Sequence, residues 1–225
     1  MGKFIAIDGL DGSGKHTQFE LLCEYLSSRG LRVRKLVFPV YESDSSIFVR
    51  MYLDGRLGKS ASDTNAYAAS MFFAADRYVS FVTDWRDDYE DPETVIVADR
   101  YTTANAIHQL SKLPRESWDG FISWLTDFEF KKLGVPAPDL VLFLELPPEV
   151  SIMMVERRSA ETGQKLDIHE RDHDFVFRSH AAGLYAAEAL GWQTLHCADA
   201  DGGSMRPREE IFTDIKAQAD RLLEI

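Results

Sequence analysis

Cysteine is nearly missing from this chain: Cys23 and Cys197 are the two in 225 residues, far apart and without metal-ligand spacing. That excludes a disulfide framework or a thiolate zinc site, and both thiols are expected as reduced core residues of a cytoplasmic protein. Long hydrophobic runs are missing too. No stretch approaches the roughly 20 apolar residues that span a bilayer, and no charged leader with an apolar segment opens the sequence, so folding is expected to begin at the first residues. Basic residues are outnumbered, 25 Lys and Arg against 37 Asp and Glu, for a net charge of -12. Such a surface repels polyanions, which argues against nucleic acid or an anionic membrane as partner and requires any phosphate ligand to be held by a local basic site. There is no internal repeat and no low-complexity linker. With 45% hydrophobic and 28% charged residues, the length fits one domain, 1–225, around a sizeable core.

What is there is an alternation of short buried strands and amphipathic helices. Apolar or β-branched runs at Phe4–Ile7, Val33–Phe38, Thr94–Ala98, Leu140–Glu145 and Trp192–His196 read as five strands bounded by breakers. Helical periodicity occupies Ser45–Leu53, Thr64–Trp85, Thr103–Leu110, Trp118–Leu133, Pro148–Arg158, Asp172–Leu190 and Arg208–Leu223. The pattern predicts an α/β protein with a five-stranded parallel sheet covered by helices on both faces, a three-layer arrangement. The polar stretch Ser159–Asp167 reads as a mobile loop between two helices. Ligands of such sheets sit beyond the carboxyl ends of the strands, which directs attention to 8–15, 39–43, 99–101 and 146–148.

The first of these carries the strongest signal. Gly9-Leu10-Asp11-Gly12-Ser13-Gly14-Lys15 lies between a strand and a helix, as a phosphate-binding loop requires. Its glycines let backbone N–H groups converge on phosphate oxygens, Lys15 adds charge, and the helix N-terminus adds its partial charge. One position departs from the pattern. The residue after Lys15 should carry a hydroxyl near Mg²⁺ but is His16, and Thr17, one place late, is rotated about a hundred degrees around the helix. Imidazole is a poor match for hard Mg²⁺, so His16 is expected as a solvent-facing or phosphate-facing donor, leaving the metal to phosphates, waters and Asp99. Asp99-Arg100-Tyr101 follows the third strand; the acid can hold the metal's water shell and the guanidinium can fork a phosphate. Phe73 and Arg77, four apart, share one helix face and could bracket a flat base.

In order and spacing, the loop, Phe38-Pro39, Phe73 through Arg77, Asp99-Arg100-Tyr101, His108-Gln109 and Asp139 through Leu142 resemble thymidylate kinases over nearly the whole chain. The resemblance implies a P-loop nucleoside monophosphate kinase that moves the γ-phosphoryl group of ATP onto dTMP with Mg²⁺, and a homodimer built beside the Phe73 helix. It implies that Gly9, Gly12, Ser13, Gly14, Lys15, His16 and Thr17 hold ATP, and Asp99 the metal. Asp11 would contact the acceptor's sugar or the transferred group, Arg100 its phosphate, Phe73 would stack on thymine and Arg77 would donate to a thymine carbonyl. Phe38, Pro39, Tyr41, Asn105, His108 and Gln109 complete the acceptor site, Gln109 reaching the base edge. Three positions differ from the family's usual residues: His108 stands for Tyr or Phe, Ala104 for Ser, and Tyr41 for an Arg on the acceptor phosphate, which Arg50 could replace if the fold brings it back. Residues 157–171 resemble the family's lid. Because Ser13 and not Arg sits inside the loop, a lid cation is expected at the transition state, with Arg158 as catalytic candidate and Arg157 on the ATP side, beside Lys165 and Arg171. Two other readings stand beside this one: a deoxynucleoside kinase with an uncharged acceptor, and a nucleotide-binding protein with impaired catalysis.

Overall fold

A computed structural model of the chain describes residues 1–163 and 165–225. Five strands, β1 (Lys3–Gly9), β2 (Arg32–Val37), β3 (Thr94–Asp99), β4 (Leu140–Glu145) and β5 (Gln193–His196), form one parallel sheet in the order β2-β3-β1-β4-β5. The helices are α1 (Lys15–Ser28), α2 (Ile47–Leu53), α3 (Ala66–Ser80), α4 (Arg86–Glu90), α5 (Thr103–His108), α6 (Trp118–Thr126), α7 (Pro148–Thr162), α8 (His173–Leu190) and α9 (Arg208–Leu223). Strand β1 shows why both faces must be covered. Ile5 and Ile7 point into a core with Phe19 and Leu22 of α1 and Ile211 and Ile215 of α9, whereas Phe4 and Ala6 point into a second core with Trp85, Ile96 and Tyr101. A strand apolar on both faces pairs in the middle of a sheet, and β1 lies between β3 and β4.

Two expected helices are interrupted by π-helical turns, Phe81–Trp85 after α3 and Asp127–Leu133 after α6. The second seats Glu129 at 0% exposure. One expectation is corrected: Ser159–Asp167 is not all loop, because α7 continues through Thr162 and ends at Gly163 with φ 71°. Ser, Ala, Glu and Thr extend the last turn at little cost, and the left-handed glycine stops it. Gln164, in the segment read as a lid, lies outside the described residues. No described helix is long and apolar enough to cross a membrane.

Candidate active site

The sheet's carboxyl edge is built by the turn out of β1. Leu144 on the neighbouring strand approaches so closely that a Cβ at Gly9 would stand 2.5 Å from its carbonyl oxygen, and Gly14 caps α1 at φ 79°. Asp8, fully buried, accepts from its own Gly9 N–H at 2.8 Å and from Thr103 Oγ1 at 2.6 Å, and Ser151 of α7 donates to the Asp11 carbonyl at 2.6 Å. The loop is thus clamped from α5 and α7. Lys15 Nζ lies over it, 3.2 Å from both the Leu10 carbonyl and Asp11 Oδ1. Ser13 Oγ is buried without a hydrogen-bond partner, a donor available to a phosphate oxygen. Thr17 is exposed on the first turn of α1.

Opposite the loop, β3 ends in Asp99 and the chain turns at Arg100, whose φ of 65° is left-handed although the residue is not glycine. Such backbone strain persists where the surroundings fix it, and here they do. Arg100 N–H donates to the Ile7 carbonyl at 3.0 Å, and its guanidinium pairs with Asp11, lies 3.8 Å from Asp8 and donates to His108 Nε2 at 3.2 Å. Burial opposes the Asp11 charge, but Arg100 and Lys15 hold the carboxyl well below its usual range, so it is ionised. Burial first, and then the Arg100 charge, pushes His108 down to about 3, and the ring is neutral. Asp99 is 6% exposed; one carboxylate oxygen is buried without a partner and the other lies 2.8 Å from His16 Nδ1. The His16 imidazole therefore faces Asp99 and solvent, the first of the two orientations expected for it.

Between these parts and α3 lies a cleft of about 430 Å³. Asp11, Phe38, Pro39, Tyr41 and Phe73, and likewise Arg77, Arg100, Asn105, His108 and Gln109, all line it. All ten are residues expected from the sequence, and five separate stretches of chain bring them together. Arg50 also lines it, because the short turn before α2 folds back: its Nη1 donates to the Tyr41 carbonyl at 2.5 Å, the Ser43 carbonyl at 3.0 Å and Ser46 Oγ at 2.6 Å. From the segment 157–171, Arg158, Lys165, Asp167, His169 and Glu170 face the cleft. Arg158 pairs with Glu170, whereas Arg157 projects from α7 to pair with Glu161 at 2.8 Å and does not line the cleft. Burial, and the nearby Asp11 charge, raise Asp167 to about 6.

Sequence reasoning missed Glu129. Its carboxylate accepts Arg77 Nε at 2.7 Å, Arg77 Nη2 at 2.5 Å and Asn105 Nδ2 at 3.0 Å, all buried. It thereby fixes the guanidinium and the amide that face the cleft beside Phe73. His169 was missed as well. It stacks on His108 with ring centroids 5.4 Å apart and meets Tyr52 Oη at 2.7 Å, and the Tyr52 hydroxyl in turn accepts from Lys112 at 2.7 Å. Burial lowers Lys112 to about 7. A lone Glu on an amphipathic helix and a His in a polar loop carry no sequence signal for partners 52 and 117 residues away.

A glycine loop clamped at a helix start, an acid and a guanidinium at the next strand end, and an adjoining cleft sized for a second small molecule define a P-loop kinase of small phosphate acceptors. Comparison with known proteins narrows the class. The family model for thymidylate kinase matches residues 7–198. Thymidylate kinase of Mycobacterium tuberculosis H37Rv is 31% identical over 192 residues, 84% of this chain and 86% of that protein. Thymidylate kinase of Rhodopirellula baltica is 30% identical over 89% of this chain and 75% of its own length. A probable thymidylate kinase of Methanococcus maripaludis is 28% identical over 76% of this chain and 74% of its own. The chain belongs to the thymidylate kinase family.

Proposed function

We propose that this chain transfers the γ-phosphoryl group of ATP to dTMP, giving dTDP and ADP. The observation that carries the reading is the single cleft in which Phe73, Arg77, Asn105 and Gln109 stand at one end and Asp11 and Arg100 at the other, beside the phosphate loop. Phe73 offers a ring face to the base. Arg77 offers donors, and the buried, unpartnered Oε1 of Gln109 offers an acceptor for an imide N–H. Arg100, with Arg50 in place of an arginine at Tyr41, holds the acceptor phosphate, and Asp11 orders the Arg100 fork until that phosphate replaces it. Phosphoryl transfer needs no covalent intermediate; alignment of two nucleotides and neutralisation of the moving charge suffice. Lys15 and the loop N–H groups serve the donor phosphates, and Arg158 reaches the cleft from the segment 157–171, which we read as a lid of this one kinase domain. In this reading Arg157 serves ATP and would leave its pair with Glu161 to do so.

Oxygen donors suit Mg²⁺, and the orphaned Asp99 carboxylate oxygen fits a role in holding it. When bound, Mg²⁺ draws off charge from the β and γ phosphates. A cytoplasmic homodimer is part of the same reading: Tyr67, Met71 and Tyr78 form an exposed stripe on α3 that supports it. The test is ADP release with each deoxynucleoside monophosphate and with thymidine. Thymidylate is expected to exceed thymidine by at least about a hundredfold, because an uncharged acceptor gains no charge-assisted hydrogen bonds from Arg100 and Arg50. Equal use of thymidine would refute the reading in favour of a nucleoside kinase, and no turnover of any acceptor in favour of a binding protein.

A further inference from the structure

Asp76 follows Phe73 on α3 and precedes Arg77, yet it does not line the cleft that both of them face. Its side chain is buried, with the residue only 1% exposed. A buried carboxylate is ordinarily paired with a cation. Among the described residues Asp76 has only neutral donors: the Val40 N–H at 2.8 Å from Oδ2 and the Ser45 hydroxyl at 2.6 Å from Oδ1. Those two donors belong to one short stretch of chain, the turn that leads from Pro39 into α2. Asp76 therefore holds both ends of that turn against α3.

What the turn carries is the cradle of Arg50. Between its two tethered ends, the Tyr41 and Ser43 carbonyls converge on Arg50 Nη1 at 2.5 and 3.0 Å, and Ser46 Oγ joins them at 2.6 Å. The turn closes on itself through Ser43 N–H to the Val40 carbonyl at 2.9 Å and Ser46 N–H to the Ser43 carbonyl at 3.2 Å. Among the described residues every hydrogen bond of Arg50 runs through Nη1, so Nε and Nη2 remain for a ligand in the cleft that Arg50 lines. A free arginine loses much rotamer freedom when it meets a phosphate, whereas a cradled one has lost it beforehand. Two of the three cradle atoms are main-chain oxygens. The aim of the guanidinium therefore follows the backbone of the turn, and Asp76 fixes that backbone.

We propose that Asp76 is a positioning residue for the acceptor: by tethering Val40 and Ser45 it aims the Arg50 guanidinium at the acceptor's phosphate. Helix α3 then serves both ends of one substrate, the base through Phe73 and Arg77 and the phosphate through Asp76. The proposal rests on the kinase reading, which makes the acceptor a nucleoside monophosphate.

The experiment uses the full chain, with thymidylate and thymidine as probes that differ only by the phosphate, and two-substrate kinetics beside the binding titrations. Asp76→Ala is expected to weaken thymidylate about tenfold, the scale of one charge-assisted hydrogen bond, while thymidine affinity and KM for ATP stay within about twofold. Asp76→Asn should behave as the parent, because its amide oxygen accepts the Val40 N–H and its NH₂ group donates to Ser45 Oγ. In an Arg50→Ala background Asp76→Ala should cost nothing further, since the group it aims is gone. Circular dichroism checks each variant. Should Asp76→Ala not fold, Ser45→Ala removes one of the two tethers from the turn side and is expected to weaken thymidylate about threefold, again sparing thymidine. Equal weakening of thymidylate and thymidine would overturn the proposal and make Asp76 a merely structural acid. So would an unchanged thymidylate affinity, or a loss that persists in the Arg50→Ala background. In those cases the kinase reading stands as long as the parent turns over thymidylate; a parent that does not bind it would overturn both.

Discussion

Replacing Glu129 by glutamine asks whether the base end of the cleft is set by a residue the substrate never touches. Glu129 is 0% exposed and Arg77 1%, so the carboxylate balances a guanidinium with almost no access to bulk water. Glutamine keeps the shape but turns one oxygen into an NH₂ group. If that group replaces Oε2, Arg77 Nε faces a donor; if it replaces Oε1, Arg77 Nη2 and Asn105 Nδ2 both do. Either way a charged donor is left buried and unpaired. Removing one partner of a buried ion pair costs about 3–5 kcal/mol, and because Arg77 Nη1 keeps its hydrogen bond to the Tyr101 carbonyl at 3.2 Å, the low end near 3 kcal/mol is expected. The functional effect is directional. Arg77 and Asn105 lose the anchor that aims them at the base, so KM for thymidylate should rise at least about tenfold, the value of one charge-assisted hydrogen bond, while KM for ATP stays unchanged at the far end of the sheet edge. Urea unfolding and two-substrate kinetics measure both. The double variant Glu129→Leu, Arg77→Leu should recover much of the stability but none of the thymidylate affinity, since apolar replacement removes the unpaired charge as well as the donor. A loss under about 1 kcal/mol with unchanged KM for thymidylate, or equal shifts in both KM values, would refute the argument.

Two other outcomes follow from the same geometry. Lys15→Ala should abolish phosphoryl transfer with an unchanged circular dichroism spectrum, because Lys15 Nζ contacts loop atoms and not the apolar core; turnover near the parent rate would remove the phosphate-loop assignment. Stability should fall with pH below about 6.5. Burial holds His108 near 3 and His169 well below its usual value, so both titrate in the unfolded chain before they do in the folded one. Each then costs about 2 kcal/mol by pH 5. Comparing urea midpoints at pH 7.5 and 5 for the parent and His169→Gln isolates one imidazole from Asp167, which titrates in the same range with the opposite sign. Equal pH dependence in the two proteins would refute the buried-neutral assignment.

The elements of this fold were legible because each strand is a short apolar run closed by a breaker and each helix repeats at 3.6 residues. Phe4–Ile7 reads as a buried strand because every residue of this short run before the glycine loop is apolar. The cleft was legible because Asp11, Pro39, Tyr41 and Arg100 follow strand ends and Phe73 and Arg77 sit four apart on one helix, whereas Asn105, His108 and Gln109 rest on the resemblance to thymidylate kinases. What stayed hidden were pairings between elements. Asp127–Leu133 reads as the end of an amphipathic helix, and nothing in that pattern says that a π-helical turn seats Glu129 under α3. His16 was read against its own loop, whereas its partner Asp99 arrives 83 residues later. Local periodicity reports which face of an element is buried, but the polar contacts that aim a side chain depend on where a distant element ends.

The charge arrangement of the cleft says how a chain of net charge -12 can hold a dianionic acceptor. The cations of the cleft and of the adjoining loop are mostly held by acids before any ligand arrives: Lys15 of the loop by Asp11, Arg100 by Asp11 and Asp8, Arg77 by Glu129, Arg158 by Glu170. Pairing spares the folded protein the cost of uncompensated buried charge, but each pair must be weakened or exchanged before its cation can serve a phosphate. Arg50 differs. Its described partners, the Tyr41 and Ser43 carbonyls and the Ser46 hydroxyl, are neutral oxygens that orient the guanidinium without cancelling its charge. An oriented arginine with its charge intact attracts a phosphate with no ion pair to break. On that ground we propose that Arg50 meets an incoming acceptor phosphate first and that Arg100, released from Asp11, meets it second.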